Sequence, residues 1–275
     1  LLSHTMRQSR NLLFGDTCYG LDSLGSIDTV SEFTSNQIRA HFKSVTTPPS
    51  SVISIFGDID IAKIEDSILA ETNNWNGSTQ QINTPEITPL KSINRKILET
   101  KKEQSVVVLV YKGSFLGQTD QTVLDLVSEA LSDMGSRLFS RIREELGLAY
   151  YVGAQNFSGI GTGCFSFYAG TGADSAKQVE EELISQASQL AVDGLTQEEL
   201  SRAKSKLLGQ KKISRQELGS VAYNSCMDEL LGLGFNHSID EEKRIENISL
   251  EQVKDVSNRY FNNNDYAVAI STPSP

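Results

Sequence analysis

Gly135-Ser-Arg-Leu-Phe-Ser-Arg-Ile-Arg-Glu-Glu-Leu-Gly-Leu-Ala-Tyr-Tyr151 is the stretch from which the rest of the chain is read. It begins as a helix. Leu138, Ile142 and Leu146 stand four apart and share a face, while Arg137, Arg141, Arg143, Glu144 and Glu145 cover the rest. Gly147 is the natural stop, because it accepts the left-handed cap that other residues resist. Ala149, Tyr150, Tyr151 and Val152 then read as a strand. Arg143 therefore lies seven residues before Tyr150, across a sharp helix-to-strand turn. Such a turn can aim a guanidinium and a phenol at one point in space.

The segment from Ser136 to Val152 closely resembles a signature of the second, non-catalytic domain of the pitrilysin/insulinase family of zinc metallopeptidases, which includes the mitochondrial processing peptidases. The resemblance implies that Arg143 and Tyr150 are the family's substrate-orienting pair, facing the zinc from the opposite domain and holding peptide carbonyls near the scissile bond. The residue types suit that role, since Arg is a permanent forked donor and Tyr a neutral one, both fit for carbonyl or oxyanion oxygens. The bland alternative is a surface arginine followed by an ordinary strand tyrosine.

Composition bounds the rest. A chain of 275 residues can build a full core and holds more than one folding unit. Its 38% hydrophobic and 22% charged residues are ordinary for a soluble globular protein. The longest apolar run, Val106 to Tyr111, is far too short for a bilayer, and the first residues lack the basic-then-apolar order of a signal peptide. With no initiator methionine, the sequence reads as a processed product or a piece of a longer protein. The net charge of −10 disfavours nucleic acid. An acidic surface suits basic peptides, although solubility alone explains it. Cys18, Cys164 and Cys226 are odd in number and widely spaced, which fits reduced cysteines rather than a disulfide framework.

Along the chain, Leu2, Met6, Leu12 and Leu13 mark a short helix. Phe14 to Gly25 resembles a late loop of a pitrilysin-type domain, with Thr17 and Cys18 where the family has His and Pro. Thr34 caps a helix with an Ile38/His41/Phe42 stripe, broken by Pro48-Pro49. Val52–Phe56 reads as a strand and Ile61–Glu71 as a helix. The polar segment 75–92 reads as a linker. Strands follow at Asn94–Thr100 and Val106–Lys112, the second a β-branched run that implies burial on both faces or a central place. A helix spans Asp120–Met134. The strands Tyr150–Phe157 and Gly163–Ala169 form a hairpin. Beyond them come a helix from Ser175 to Val192, a capping box at Thr196-Gln-Glu-Glu199, helical pieces at Leu218–Leu231 and Ile239–Ile245, a helix opened by Ser249, and a last strand from Tyr266 to Ser271.

Thr34 to Ile55 realigns without gaps 215 residues later, where Thr34, Ile38, Ile53 and Ile55 meet Ser249, Val253, Val268 and Ile270. The implied picture is two homologous domains: residues 1–74 as the last part of the first, 75–92 as linker, and 93–275 as the complete second, the tandem order of the family.

A peptidase of this family needs His-x-x-Glu-His and a downstream Glu to hold zinc and activate water. His4, His41 and His237 are the only histidines, and none lies within five residues of another. The glycines of 159–172 have no phosphate-loop spacing and read as hairpin residues. We therefore expect no catalytic residue and no metal in this chain, with zinc expected in a catalytic domain upstream or on a partner subunit. The expected fold is α+β, a metallopeptidase-type ferredoxin-like sandwich with a mainly antiparallel sheet and helices packed on one face, in two homologous units of which the first is partial. The expected function is the substrate-binding, non-catalytic portion of a pitrilysin-type zinc endopeptidase. Its partners would be that catalytic domain and a peptide substrate, without nucleic acid or membrane, and with room for a homodimer. The strand edge at 153–163 is a candidate place for substrate to add as a strand. The alternatives are a catalytically dead structural core subunit and a stand-alone peptide-binding protein.

Overall fold

A computed structural model of the chain describes residues 1–78, 93–262 and 264–274. The expected linker therefore lies outside the described residues from residue 79 on. The helices are α1 (Leu2–Phe14), α2 (Ile27–Ser31), α3 (Ser35–Val45), α4 (Ile61–Thr72), α5 (Thr119–Leu131), α6 (Ala176–Asp193), α7 (Gln197–Ser214), α8 (Leu218–Leu230), α9 (His237–Asn247) and α10 (Leu250–Phe261). The strands are β1 (Asn94–Thr100), β2 (Gln104–Gly113), β3 (Ala149–Ser158), β4 (Gly163–Gly172) and β5 (Tyr266–Pro273). The chain divides into two units of packing. One comprises Leu1–Leu24, Thr84–Leu207 and Ile245–Pro275; the other comprises Gly25–Asn83 and Leu208–Arg244.

The first unit is built on a five-stranded sheet of order β1-β5-β2-β4-β3. The β1–β5 pair is parallel and the other three pairs are antiparallel. The run Val106–Val110 in β2 is wholly buried, because the sheet is covered on both faces. On one face lie α5, α6 and α10. Register places Tyr111 beside both Phe165 and Tyr266, and Phe261 of α10 drops onto them. Its ring centroid is 5.0 Å from Phe165, 5.3 Å from Tyr111 and 5.4 Å from Phe167. Each such ring contributes about 1.5–3 kcal/mol on burial. The opposite face carries a cover that sequence reading did not place, α1. Leu13 and Phe14 pack on Val110, Cys164 and Ala267, and the hydroxyls of Thr5 and Ser271 meet at 2.7 Å.

The second unit is helical. The ion pairs Lys211–Glu241 (2.5 Å) and Arg215–Glu242 (2.6 Å) hold it, and Trp75 Nε1–H donates to the Thr46 carbonyl at 3.1 Å. The helices α2, α3 and α4 bury no side chain. The Thr34 cap is present as a reciprocal capping box. The strand expected over Val52–Phe56 does not form. β-propensity is realised against a neighbouring strand, and among the described residues this segment has none. Ile53 is 56% exposed and Ile55 41%. The Val52 carbonyl accepts the Cys226 thiol at 3.3 Å instead.

Candidate functional site

The helix expected from residue 135 to 147 becomes, over Phe139–Glu145, a π-helical turn. In the wider turn Leu138 and Ile142 stay fully buried together. The Leu146 N–H donates to Arg141 O at 3.2 Å, five residues back, and the Leu148 N–H to Ile142 O at 2.9 Å. Gly147 takes the expected left-handed conformation at φ 63°. π-turns are uncommon and occur frequently at functional sites.

The strand after the turn is also irregular. Ala149 pairs with Thr171, but the next pair is Tyr151 with Gly170, so Tyr150 is the extra residue of a β-bulge. The bulge turns its side chain outward, 57% exposed. Arg143 is exposed on the other arm of the turn, its guanidinium carbon 4.9 Å from the ring centroid of Phe139. The two candidate residues thus stand on the two arms of one turn. Among the described residues no hydrogen bond joins them, and both side chains are exposed.

The turn is anchored by contacts with no sequence signal. Arg137 Nε donates to Glu199 Oε1 at 2.7 Å, and its Nη2 donates to the Gly194 carbonyl at 3.0 Å. Glu199 also accepts from the Thr196 N–H at 2.8 Å, closing the expected capping box of α7. Burial pushes the Glu199 carboxyl up, but the hydrogen bonds from Arg137 and Thr196 outweigh it and hold it below the usual carboxylate range. Arg141 bridges Glu145 (2.9 Å) and Glu182 (3.4 Å). A polar cleft of about 450 Å³, lined by Arg137, Arg141, Gln186 and Glu199 among others, runs along this side of the turn.

The strand edge expected at 153–163 is present and is engaged at one residue. β3 is an edge strand, but the Ala154 N–H donates to Ser132 Oγ at 3.1 Å. Its carbonyl accepts from Ser132 Oγ at 2.7 Å and from Ser128 Oγ at 3.2 Å. At Ala154 the edge is therefore satisfied by hydroxyls from α5 and its C-terminus, and a strand added there would have to displace them.

His4 lies on α1 in the first unit, while His41 on α3 and His237 on α9 belong to the second. Among the described residues no group of three His, Cys, Asp or Glu side chains is placed to hold a metal ion. Also among the described residues, no helix is long and apolar enough to cross a membrane.

The fold is thus a helix-covered, mostly antiparallel sheet with Arg143 and Tyr150 exposed on the two arms of one turn. Residues 32–207 match the family model described as the peptidase M16 inactive domain, and the chain belongs to that family, the pitrilysin/insulinase peptidases. It is 29% identical over 269 residues to the uncharacterized zinc protease YmxG of Bacillus subtilis, covering 95% of this chain and 63% of that protein. Its fold is similar to a peptidase M16 inactive domain from Pseudomonas fluorescens, with TM-score 0.88 and 19% identity, covering 99% of this chain and 65% of that one. It is also similar to a protease from Helicobacter pylori, with TM-score 0.86 and 18% identity, covering 99% of this chain and 67% of that one. The chain thus spans under two thirds of the length of the Bacillus relative.

Proposed function

We propose that this chain is the substrate-binding portion of a zinc metalloendopeptidase, in which Arg143 and Tyr150 orient an unfolded peptide backbone opposite a zinc site carried by a catalytic domain, upstream or on a partner subunit. The observation that carries the reading is the placement of both residues, exposed on a π-turn and a β-bulge. Two irregular elements flanking one glycine are a costly way to display two ordinary surface residues. The test is turnover of a quenched peptide by the complete gene product. Arg143→Ala should lower kcat/KM by about a hundredfold, the scale of a lost transition-state donor, and Tyr150→Phe should lower it less. Unchanged turnover in Arg143→Ala sinks the orienting role. A complete product with no peptidase activity moves the structural-subunit reading ahead.

The proposal extends to organisation, with residues 1–74 completing a first domain, 75–92 linking and 93–275 forming the second. Support comes from the internal repeat. Val253 on α10 is fully buried, while its counterpart Ile38 on α3 is 58% exposed, and Phe42 beside it is 64% exposed. The same amphipathic pattern has its sheet in one copy and, among the described residues, lacks it in the other. A catalytic domain whose sheet accepts Val52–Phe56 as a strand would supply that cover. Ile38→Asp in the complete product should then destabilise it as a core substitution does; a neutral result argues against this division.

A further inference from the structure

Helix α1 covers β5, β2 and β1 but leaves part of the same sheet face open towards β4 and β3. There a cavity of about 450 Å³ lies between α1, residues 22–24 and the two strands. That is within the range of small-ligand sites. Leu2, Met6 and Arg10 recur at four-residue spacing on the α1 face that borders it. Leu24 and Phe157 complete its apolar wall.

Its charges do not cancel. Arg7 is ion-paired with Asp22 at the cavity lining. Arg10 has no such partner: among the described residues no carboxylate pairs with it, and its Nε is buried without a hydrogen-bond acceptor. Its guanidinium lies 5.9 Å from the Phe157 ring centroid. The neighbouring Cys164 thiol is pushed up to about 12 by burial, so it stays neutral and gives Arg10 no counter-charge. Ser166, only 4% exposed, adds a hydroxyl to the same wall. A buried guanidinium donor without an acceptor is costly, and a carboxylate is the group its fork fits.

We propose that this groove is a second peptide-binding site, which takes a carboxylate on Arg10 and the neighbouring apolar side chain on Leu2, Met6, Leu24 and Phe157. It rests on the reading that the protein handles peptides, but not on Arg143 or Tyr150. The carboxylate comes from a peptide C-terminus or from an acidic side chain, and the probes separate these.

The experiment is fluorescence anisotropy with the complete gene product in the presence of EDTA, which suppresses cleavage. Three fluorescein-labelled pentapeptides serve as probes: an alanine-based peptide ending in leucine as the free acid, the same peptide as its amide, and that amide with glutamate before the leucine. The free acid, the glutamate amide, or both should bind at least tenfold more tightly than the plain amide. Arg10→Gln should erase the difference and Arg10→Lys keep part of it. Met6→Trp, which fills the groove from its apolar side, should abolish acid binding in a variant whose charges are intact. Equal binding of all three probes overturns the proposal, as does an acid preference that survives both Arg10→Gln and Met6→Trp. Arg143→Ala should leave the preference untouched. If turnover is indifferent to Arg143→Ala while the acid preference holds, the orienting role fails and the groove stands.

Discussion

The ring of Tyr151 lies directly over the α-carbon of Gly170: a methyl group built on Gly170 would come within 2.2 Å of Tyr151 Cε1. This contact belongs to the first ladder pair after the bulge, so it fixes which of the two adjacent tyrosines lies on the sheet and which turns outward. Gly170→Ala should destabilise the strand pair by about 1–3 kcal/mol, the usual cost of overpacking. Amide exchange across residues 149–158 should rise with it. Tyr151→Ala in the same background should recover most of the loss, because it removes the ring that the methyl group strikes. A Gly170→Ala protein with unchanged exchange would mean that the ring moves aside freely and does not hold the bulge.

Arg137 and Glu199 make the second prediction. Their side chains are largely buried, so removing one leaves the other charged and without its partner. Arg137→Gln should cost about 3 kcal/mol. The pH dependence has a definite sign. The folded carboxyl titrates below its ordinary value of 4.5, so its contribution is full above that value and is lost as pH falls through the lower folded one. The acid limb of a stability–pH curve should therefore flatten in Glu199→Gln. An unchanged limb would show that Arg137 does not stabilise the carboxylate.

These two contacts also explain what could be read from the sequence. The cap at Thr34, the capping box at Thr196 and the helix start at Ser249 are local signals, and all three are present. The β-branched run of β2 announced a strand buried on both faces. The turn between Arg143 and Tyr150 was legible as a helix end, a glycine and a strand. Its π-character and the bulge were not, because they depend on partners distant in sequence: Glu199, 62 residues beyond Arg137, and Gly170, opposite Tyr151. The same reason accounts for Val52–Phe56. Its sequence carries the propensity of a strand, but pairing is a property of two segments, and among the described residues none pairs with it. Arg10 carried no signal at all, since an unpaired guanidinium is visible only when its surroundings are.

Ser132 guards the edge of the sheet. Its hydroxyl serves both the N–H and the carbonyl of Ala154, and Ser128 reaches only the carbonyl. Ser132→Ala should therefore leave the Ala154 N–H unsatisfied, at a cost of about 1–3 kcal/mol. It should also open a row of backbone groups that another chain can pair with. Sedimentation velocity should detect association that grows with concentration in Ser132→Ala and is weaker in Ser128→Ala. A monodisperse Ser132→Ala protein with normal exchange at Ala154 would remove the edge-guarding role.

Phe139 and Arg143 supply the last prediction, which separates positioning from chemistry. Phe139 stands four residues before Arg143, and its ring faces the guanidinium at 4.9 Å. An exposed cation–π contact is worth about 0.5–1 kcal/mol, so Phe139→Leu should lower kcat/KM of the complete product about two- to fivefold. Arg143→Ala removes the donor itself and should cost far more. In the Arg143→Ala background Phe139→Leu should have no further effect, because its contribution passes through the guanidinium. Multiplicative losses in the double variant would instead place Phe139 in the packing of the turn, with no special hold on Arg143. Arg143→Lys tests the same point from the other side: the ammonium keeps the charge over the ring but loses the forked donors, so turnover should stay low although the contact persists.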